Sequence, residues 1–174
     1  MIDITIQQIS IKDVYTLQHI GRATFIETFT ESNTKENLEA YLTDKFNINT
    51  LLQELKNPHS QFYLAYHNNT CIGYLKINLN QAQTEYQNKH SLEIERIYIL
   101  KKYFGKSVGQ LLFEKAHQIA LENISDFLWL GVWEENQRAI HFYTKNKLVA
   151  FDKHQFKLGD DLQTDIIMKL ELNY

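Results

Sequence analysis

The chain has 174 residues, 44% of them hydrophobic and 22% charged. That is the size of one ordinary domain with enough apolar mass for a core, which excludes the disordered and collagenous classes. A formal net charge of −3 offers no broad positive field for capturing nucleic acid, and no apolar run approaches the roughly 18 residues that a membrane span needs.

Ile2, Ile4 and Ile6 alternate with polar residues, the period of a half-buried strand. Ser10 then offers an N-cap for a helix carrying Val14, Leu17, Phe25 and Phe29. A second helix is expected after Asn33 or Thr34, and a short third one from Thr50 to Lys56, closed by Pro58. Two β-rich runs, 61–66 and 71–79, flank His67-Asn68-Asn69-Thr70 and read as a hairpin, because asparagine tolerates turn conformations. Residues 80–90 are polar and unpatterned, the expectation being a surface loop.

The period then marks a strand at 91–100, a helix at 107–121 and an apolar strand at 127–133. Such a crossover implies a parallel pair with the helix on one face. A helix from Asn136 to Asn146, a strand Val149–Leu158, a turn at Gly159-Asp160-Asp161 and a strand Thr164–Leu172 follow. The fold class is therefore mixed α/β, read as one domain.

Two short motifs invite enzymatic readings. Gly105-Lys106-Ser107 resembles the end of a phosphate-binding loop, but the pattern's first glycine is replaced by Leu100. Gly105 to Gly109 also satisfies G-x-S-x-G, with Asp152 and His154 downstream, yet four residues separate it from the preceding strand. The seven histidines form no i,i+4 pair and no cluster with cysteine, so no metal is expected. One cysteine, Cys71, and no charged-then-apolar leader before Ile2 make a reducing cytoplasm the expected compartment.

The segment 91–146 resembles the acyl-CoA core of the GCN5-related N-acetyltransferases. Its turn reads Phe104-Gly105-Lys106-Ser107-Val108-Gly109 where the family has Q/R-x-x-G-x-G/A, and Asn136 to Tyr143 is similar to the family's N-x-x-A-x-x-F-Y stretch. Ala23-Thr24-Phe25, Glu27-Thr28-Phe29, Glu39 to Leu42, His154-Gln155-Phe156 and Gly159 to Asp165 resemble the PaiA-type branch, associated with spermidine and spermine. The resemblance implies a mostly antiparallel central sheet with flanking helices, and acetyl-CoA as cosubstrate. It also implies a small-molecule amine as acceptor, with neither nucleic acid nor membrane as partner; the oligomeric state is left open.

By the same resemblance, coenzyme A lies along Ile97, Tyr98 and Ile99, the turn Phe104, Gly105, Lys106, Ser107, Val108 and Gly109, and Asn136. A helix N-terminus can hold a pyrophosphate through backbone N–H groups alone. Tyr143 would serve the departing sulfur, its alternative role being packing, and Glu93 or Glu95 would be the base, directly or through water. Residues two apart on a strand share a face, so both glutamates are also readable as ordinary exposed strand carboxylates. Glu27 and Glu31 would attract a cationic acceptor. A protein or peptide acetyltransferase, and a non-catalytic acyl-CoA-binding module, are the alternatives.

Overall fold

A computed structural model of the chain describes residues 3–86, 89–158 and 161–173. In chain order these form β1 (Thr5–Gln8), α1 (Val14–Phe29), α2 (Lys35–Lys45), α3 (Ile48–Lys56), β2 (Ser60–His67), β3 (Thr70–Leu79) and β4 (Ser91–Ile99). They continue with α4 (Val108–Glu122), β5 (Phe127–Trp133), α5 (Gln137–Lys145), β6 (Val149–Leu158) and β7 (Asp161–Glu171). Ile2 and the turn residues Gly159 and Asp160 lie outside the described residues.

Local chemistry sets several boundaries. Ser10 and Asp13 form a reciprocal cap on the 3-10 turn that leads into α1. The third helix starts at Ile48, earlier than the sequence suggests, because Asn47 rather than Thr50 is its cap: the Asn47 side chain accepts from the Thr50 amide at 2.9 Å. Asn68 and Asn69 take φ of 47° and 62°, the left-handed turn expected of the β2–β3 hairpin.

Seven strands form one sheet in the order β1-β2-β3-β4-β5-β7-β6, and every neighbouring pair is antiparallel except β4–β5. Helix α4 is the crossover between that parallel pair, and it buries Val108, Leu112, Ala116 and Ile119 against Leu75, Ile77, Leu92, Ile94 and Leu128. The opposite face packs Leu17 and Ile20 of α1, Leu38 and Leu42 of α2 and Leu51 of α3 on Phe62, Leu64 and Tyr74. Each fully buried leucine contributes roughly 1.5–3 kcal/mol.

Two irregularities in β4 shape the site. In the β3–β4 ladder Lys76 faces Arg96 and Ile77 faces Ile94, which leaves Glu95 as an extra residue, a bulge. Leu92, Ile94, Ile97 and Ile99 therefore all pack on the α4 side, while Glu95, Arg96 and Tyr98 turn toward α1–α3. The second irregularity is at β5. The parallel ladder holds only Ser91–Phe127, Leu92–Leu128 and Glu93–Trp129, so the two strands part along the rest of β4.

Candidate active site

The parted seam leaves backbone groups without a ladder. Leu100 donates to the Ile72 carbonyl at 2.9 Å, which makes this a hydrogen-bonded pair of the antiparallel β3–β4 ladder. Such pairs alternate, so the amides of Tyr98 and Arg96 also turn toward β3, and those of Ile97 and Ile99 face the seam. Of the three expected residues, Ile97 and Ile99 thus turn backbone amides to that seam, whereas the Tyr98 ring packs on the α1–α3 side near Phe29 and Tyr74.

Beyond β4 the chain makes a 3-10 turn over 101–103 and then the turn 104–107 that opens α4. Gly105 has φ of 75° with nothing near its Cα that a side chain would meet, and Ser107 is left-handed at φ 63°. Ser107 does not cap α4 with its hydroxyl, so the first amides of that helix point outward without an intramolecular side-chain partner. A Cβ added at Gly109 would meet only Ile99 Cδ1, at 3.8 Å, so packing does not demand glycine there. Arg138, from the first turn of α5, lays its guanidinium over the Phe104 ring, 3.2 Å from its centroid. Sequence reasoning missed this cation, which stands over the position where the motif has Gln or Arg. Lys106 and Lys102 lie over the ring of Tyr103.

Helix α5 brings two expected residues to the same region. The Asn136 side-chain oxygen caps the helix by accepting from the Ala139 amide at 3.1 Å, which leaves its NH₂ as the group able to reach a ligand. Tyr143 is buried, in edge contact with Phe142. Burial alone pushes its phenol well above the ordinary value, and the phenol also bears on Tyr98 across the sheet.

Glu93 and Glu95 do share a face: both accept from Asn78 Nδ2, at 3.0 and 2.6 Å. Neither is an exposed strand carboxylate, and their surroundings differ. Glu93 is 3% exposed. It accepts from the Thr84 amide at 2.8 Å and from the Thr84 hydroxyl. Burial pushes its carboxyl above the ordinary range against these hydrogen bonds. Glu95 meets Lys76 Nζ at 2.6 Å and Arg96 at 3.0 Å. Burial opposes its ionisation too, but Arg96 and Lys76 outweigh it and hold the carboxyl below its usual value.

Thr84 and Gln83 correct the expectation of a plain surface loop at 80–90. Gln83 is buried and accepts from Trp129 Nε1 at 2.7 Å and Ser91 Oγ at 2.8 Å, which fastens the connection over β4 and β5. Thr84 itself is exposed. On the same face of the sheet, Phe29 of α1 stands between Tyr98 and Trp133, at ring separations of 6.5 and 6.2 Å.

Glu27 spends one oxygen on the Lys101 amide at 2.7 Å, tying α1 to the end of β4, and Glu31 pairs at the surface with the Lys101 side chain at 3.7 Å. Asp165, opposite Trp133 in the β5–β7 ladder, places Oδ2 3.3 Å from where a Gly131 side chain would begin. Burial pushes its carboxyl up, with His154 opposing. The G-x-S-x-G reading finds no support, since His154 binds Glu85 at 2.7 Å and Asp152 accepts from the Tyr86 hydroxyl. Among the described residues no group of three or more His, Cys, Asp or Glu could hold a metal, and no helix is long and apolar enough to cross a membrane.

A strand pair that parts around a helix N-terminus agrees with what comparison finds. The model of the acetyltransferase (GNAT) family matches residues 22–147. The chain belongs to this GNAT family. The GNAT chain is similar to an uncharacterized N-acetyltransferase in the pepI 3′ region of Lactobacillus delbrueckii subsp. lactis, at 39% identity over 172 residues and 99% of both chains. It is also similar to the spermidine N(1)-acetyltransferase of Thermoplasma acidophilum, at 28% identity over 172 residues, 95% of this chain and 96% of that one. Its fold matches the crystal structure of the PaiA N-acetyltransferase from Thermoplasma acidophilum in complex with coenzyme A, with a TM-score of 0.80, 24% identity, and 98% and 99% of the two chains covered.

This GNAT protein is an acetyl-CoA-dependent N-acetyltransferase, and its mixed seven-stranded sheet with flanking helices is the fold that the resemblance implied. The residues present fit the cosubstrate: seam-facing strand backbone, free amides at the start of α4, and an unfilled space outside Gly109.

Proposed function

We propose that this GNAT enzyme acetylates a small polyamine of the spermidine and spermine type, with Glu93 as proton acceptor and Tyr143 as donor to the sulfur. The observation that carries the assignment of roles is the contrast between the two glutamates. Glu95 is held ionised between two cations, while Glu93 lies in a dry setting that favours its protonated form.

Acetyl-CoA supplies the thioester whose acyl carbon is transferred. The backbone of Ile97 and Ile99, the amides at the start of α4 and the Asn136 NH₂ would hold it, with Arg138 and Lys106 meeting the phosphates. An alkylamine of pKa about 10.4 is almost wholly ammonium at pH 7, so freeing its lone pair costs about 4.6 kcal/mol. Glu93 is too buried to touch the amine, and the hydroxyl of the exposed residue Thr84, bonded to its carboxylate, is the bridge by which the proton enters. As the C–N bond forms, a seam-facing amide of β4 donates to the carbonyl oxygen. As the C–S bond breaks, Tyr143 donates to the thiolate. Its raised phenol favours a hydrogen bond to sulfur over full proton transfer, because a thiol near 8.5 is the stronger acid.

The polyamine rests on the full-length similarity to an enzyme named for spermidine. It is supported by acidic groups around the acceptor face: Glu31, the remaining oxygen of Glu27, and Asp165. Thiol release from acetyl-CoA across spermidine, spermine, monoamines and lysine peptides tests it. Polyamines should be turned over best, with a KM that rises with salt more steeply than a monoamine's, because exposed charges are screened over about 8 Å at physiological ionic strength. Turnover of peptides without polyamines contradicts the assignment.

A further inference from the structure

Behind the two glutamates lies a set of charges that the transfer itself does not use. Lys76 of β3 bridges Glu54 of α3 at 3.2 Å and Glu95 at 2.6 Å. Arg96 makes a two-pronged contact to Glu54 at 2.8 and 2.9 Å and a further one to Glu95 at 3.0 Å. All four side chains are under 20% exposed, and the set is joined to Glu93 by the single NH₂ of Asn78. Two carboxylates face two cations, so the cluster is charge-balanced without Glu93.

We propose that the Glu54–Lys76–Glu95–Arg96 cluster is a positioning device for Glu93: it pins the β4 bulge at Glu95, consumes that carboxylate in ion pairs, and leaves Glu93 as the member of the glutamate pair able to take and return a proton. The inference rests on the assignment of Glu93 as base. A fixed, neutral cluster neither feeds Glu93 a counterion nor repels its charge strongly, and Asn78 orients it through a neutral donor. Tyr41 of α2 and Tyr74 of β3 bear on Arg96, Glu95 and Glu54, and Asp165 of β7 bears on His154 and Glu85. Among the charges, Glu95 is the one that bears on the protonation of Glu93.

The cluster gives sign-specific expectations that simple loss of packing does not. Glu95→Gln leaves one excess cation beside Glu93 and moves the acid limb of kcat/KM to lower pH. Lys76→Met leaves one excess anion and moves it to higher pH. The double variant restores the balance and brings the limb back toward wild type. The experiment measures pH profiles of acetyl transfer for the three variants, with Glu93→Gln beside them and Glu93 titrated directly by NMR of carboxyl-labelled protein, which needs no turnover. Should Lys76→Met not fold, Glu54→Gln must still lower the limb. An acid limb that persists unchanged in Glu93→Gln removes the base assignment itself. A limb that is lost in Glu93→Gln but stays put, or moves in the same direction, in both single variants overturns the positioning role alone.

Discussion

Thr84 gives both its backbone N–H, at 2.8 Å, and its hydroxyl to the carboxylate of Glu93, so an exposed residue of the β3–β4 connection closes over a side chain that is only 3% exposed. In the proposed mechanism the proton route from solvent to Glu93 runs past that hydroxyl. Thr84→Val keeps the amide and the shape but removes the hydroxyl, and should lower kcat by about 100-fold, the lower end of general-base contributions. Thr84→Ser should recover most of it. Equal rates for Val and Ser variants would show that water reaches Glu93 by another path.

Tyr143→Phe keeps the buried ring against Phe142 and removes the donor. The expected result is a kcat lowered about 100- to 10,000-fold with little change in acetyl-CoA affinity by calorimetry. Unchanged turnover where chemistry limits the rate returns Tyr143 to packing.

Gly109 and Ser107 separate backbone from side-chain recognition. Ser107→Ala should leave coenzyme A binding near wild type, because the Ser107 hydroxyl caps nothing and the amides remain. A Cβ at Gly109 meets nothing outside its own helix nearer than a side-chain carbon at 3.8 Å, so the thermal midpoint of Gly109→Val should change little while its affinity for coenzyme A falls. The opposite ranking in calorimetry rules out a backbone cradle.

The strand–helix–strand core was legible because burial on one face of α4 and on both faces of β5 imposes clear periods: the helix expected over 107–121 runs from Val108 to Glu122. The shared face of Glu93 and Glu95 followed from alternation as well. Their division of labour did not, since it depends on Lys76 and Glu54, which are remote in sequence, and on a bulge that alternation cannot announce. Thr84, Gln83 and Arg138 escaped for the same reason. Thr84 and Gln83 sit in a segment without apolar pattern and Arg138 on the exposed side of an expected helix, and each gains its meaning only from a partner remote in sequence.

Acid stability should follow Glu95. Its folded value lies below the ordinary one, so its contribution is complete above about pH 4.3 and is lost as pH falls through the folded value. Glu95→Gln should be less stable than wild type by on the order of 3 kcal/mol at pH 7 in urea titrations, with the difference shrinking below about pH 4. A pH-independent difference would place the loss in packing rather than charge.

The pH dependence of kcat/KM for spermidine, wild type against Glu93→Gln, bears most directly on the proposed chemistry. With Glu93 as base, the wild type should plateau near neutrality and fall as pH drops through that carboxyl's raised value. The variant should instead keep rising toward the amine's own pKa of about 10.4, so that the gap between the two narrows with pH. Parallel profiles for the two proteins would contradict the account.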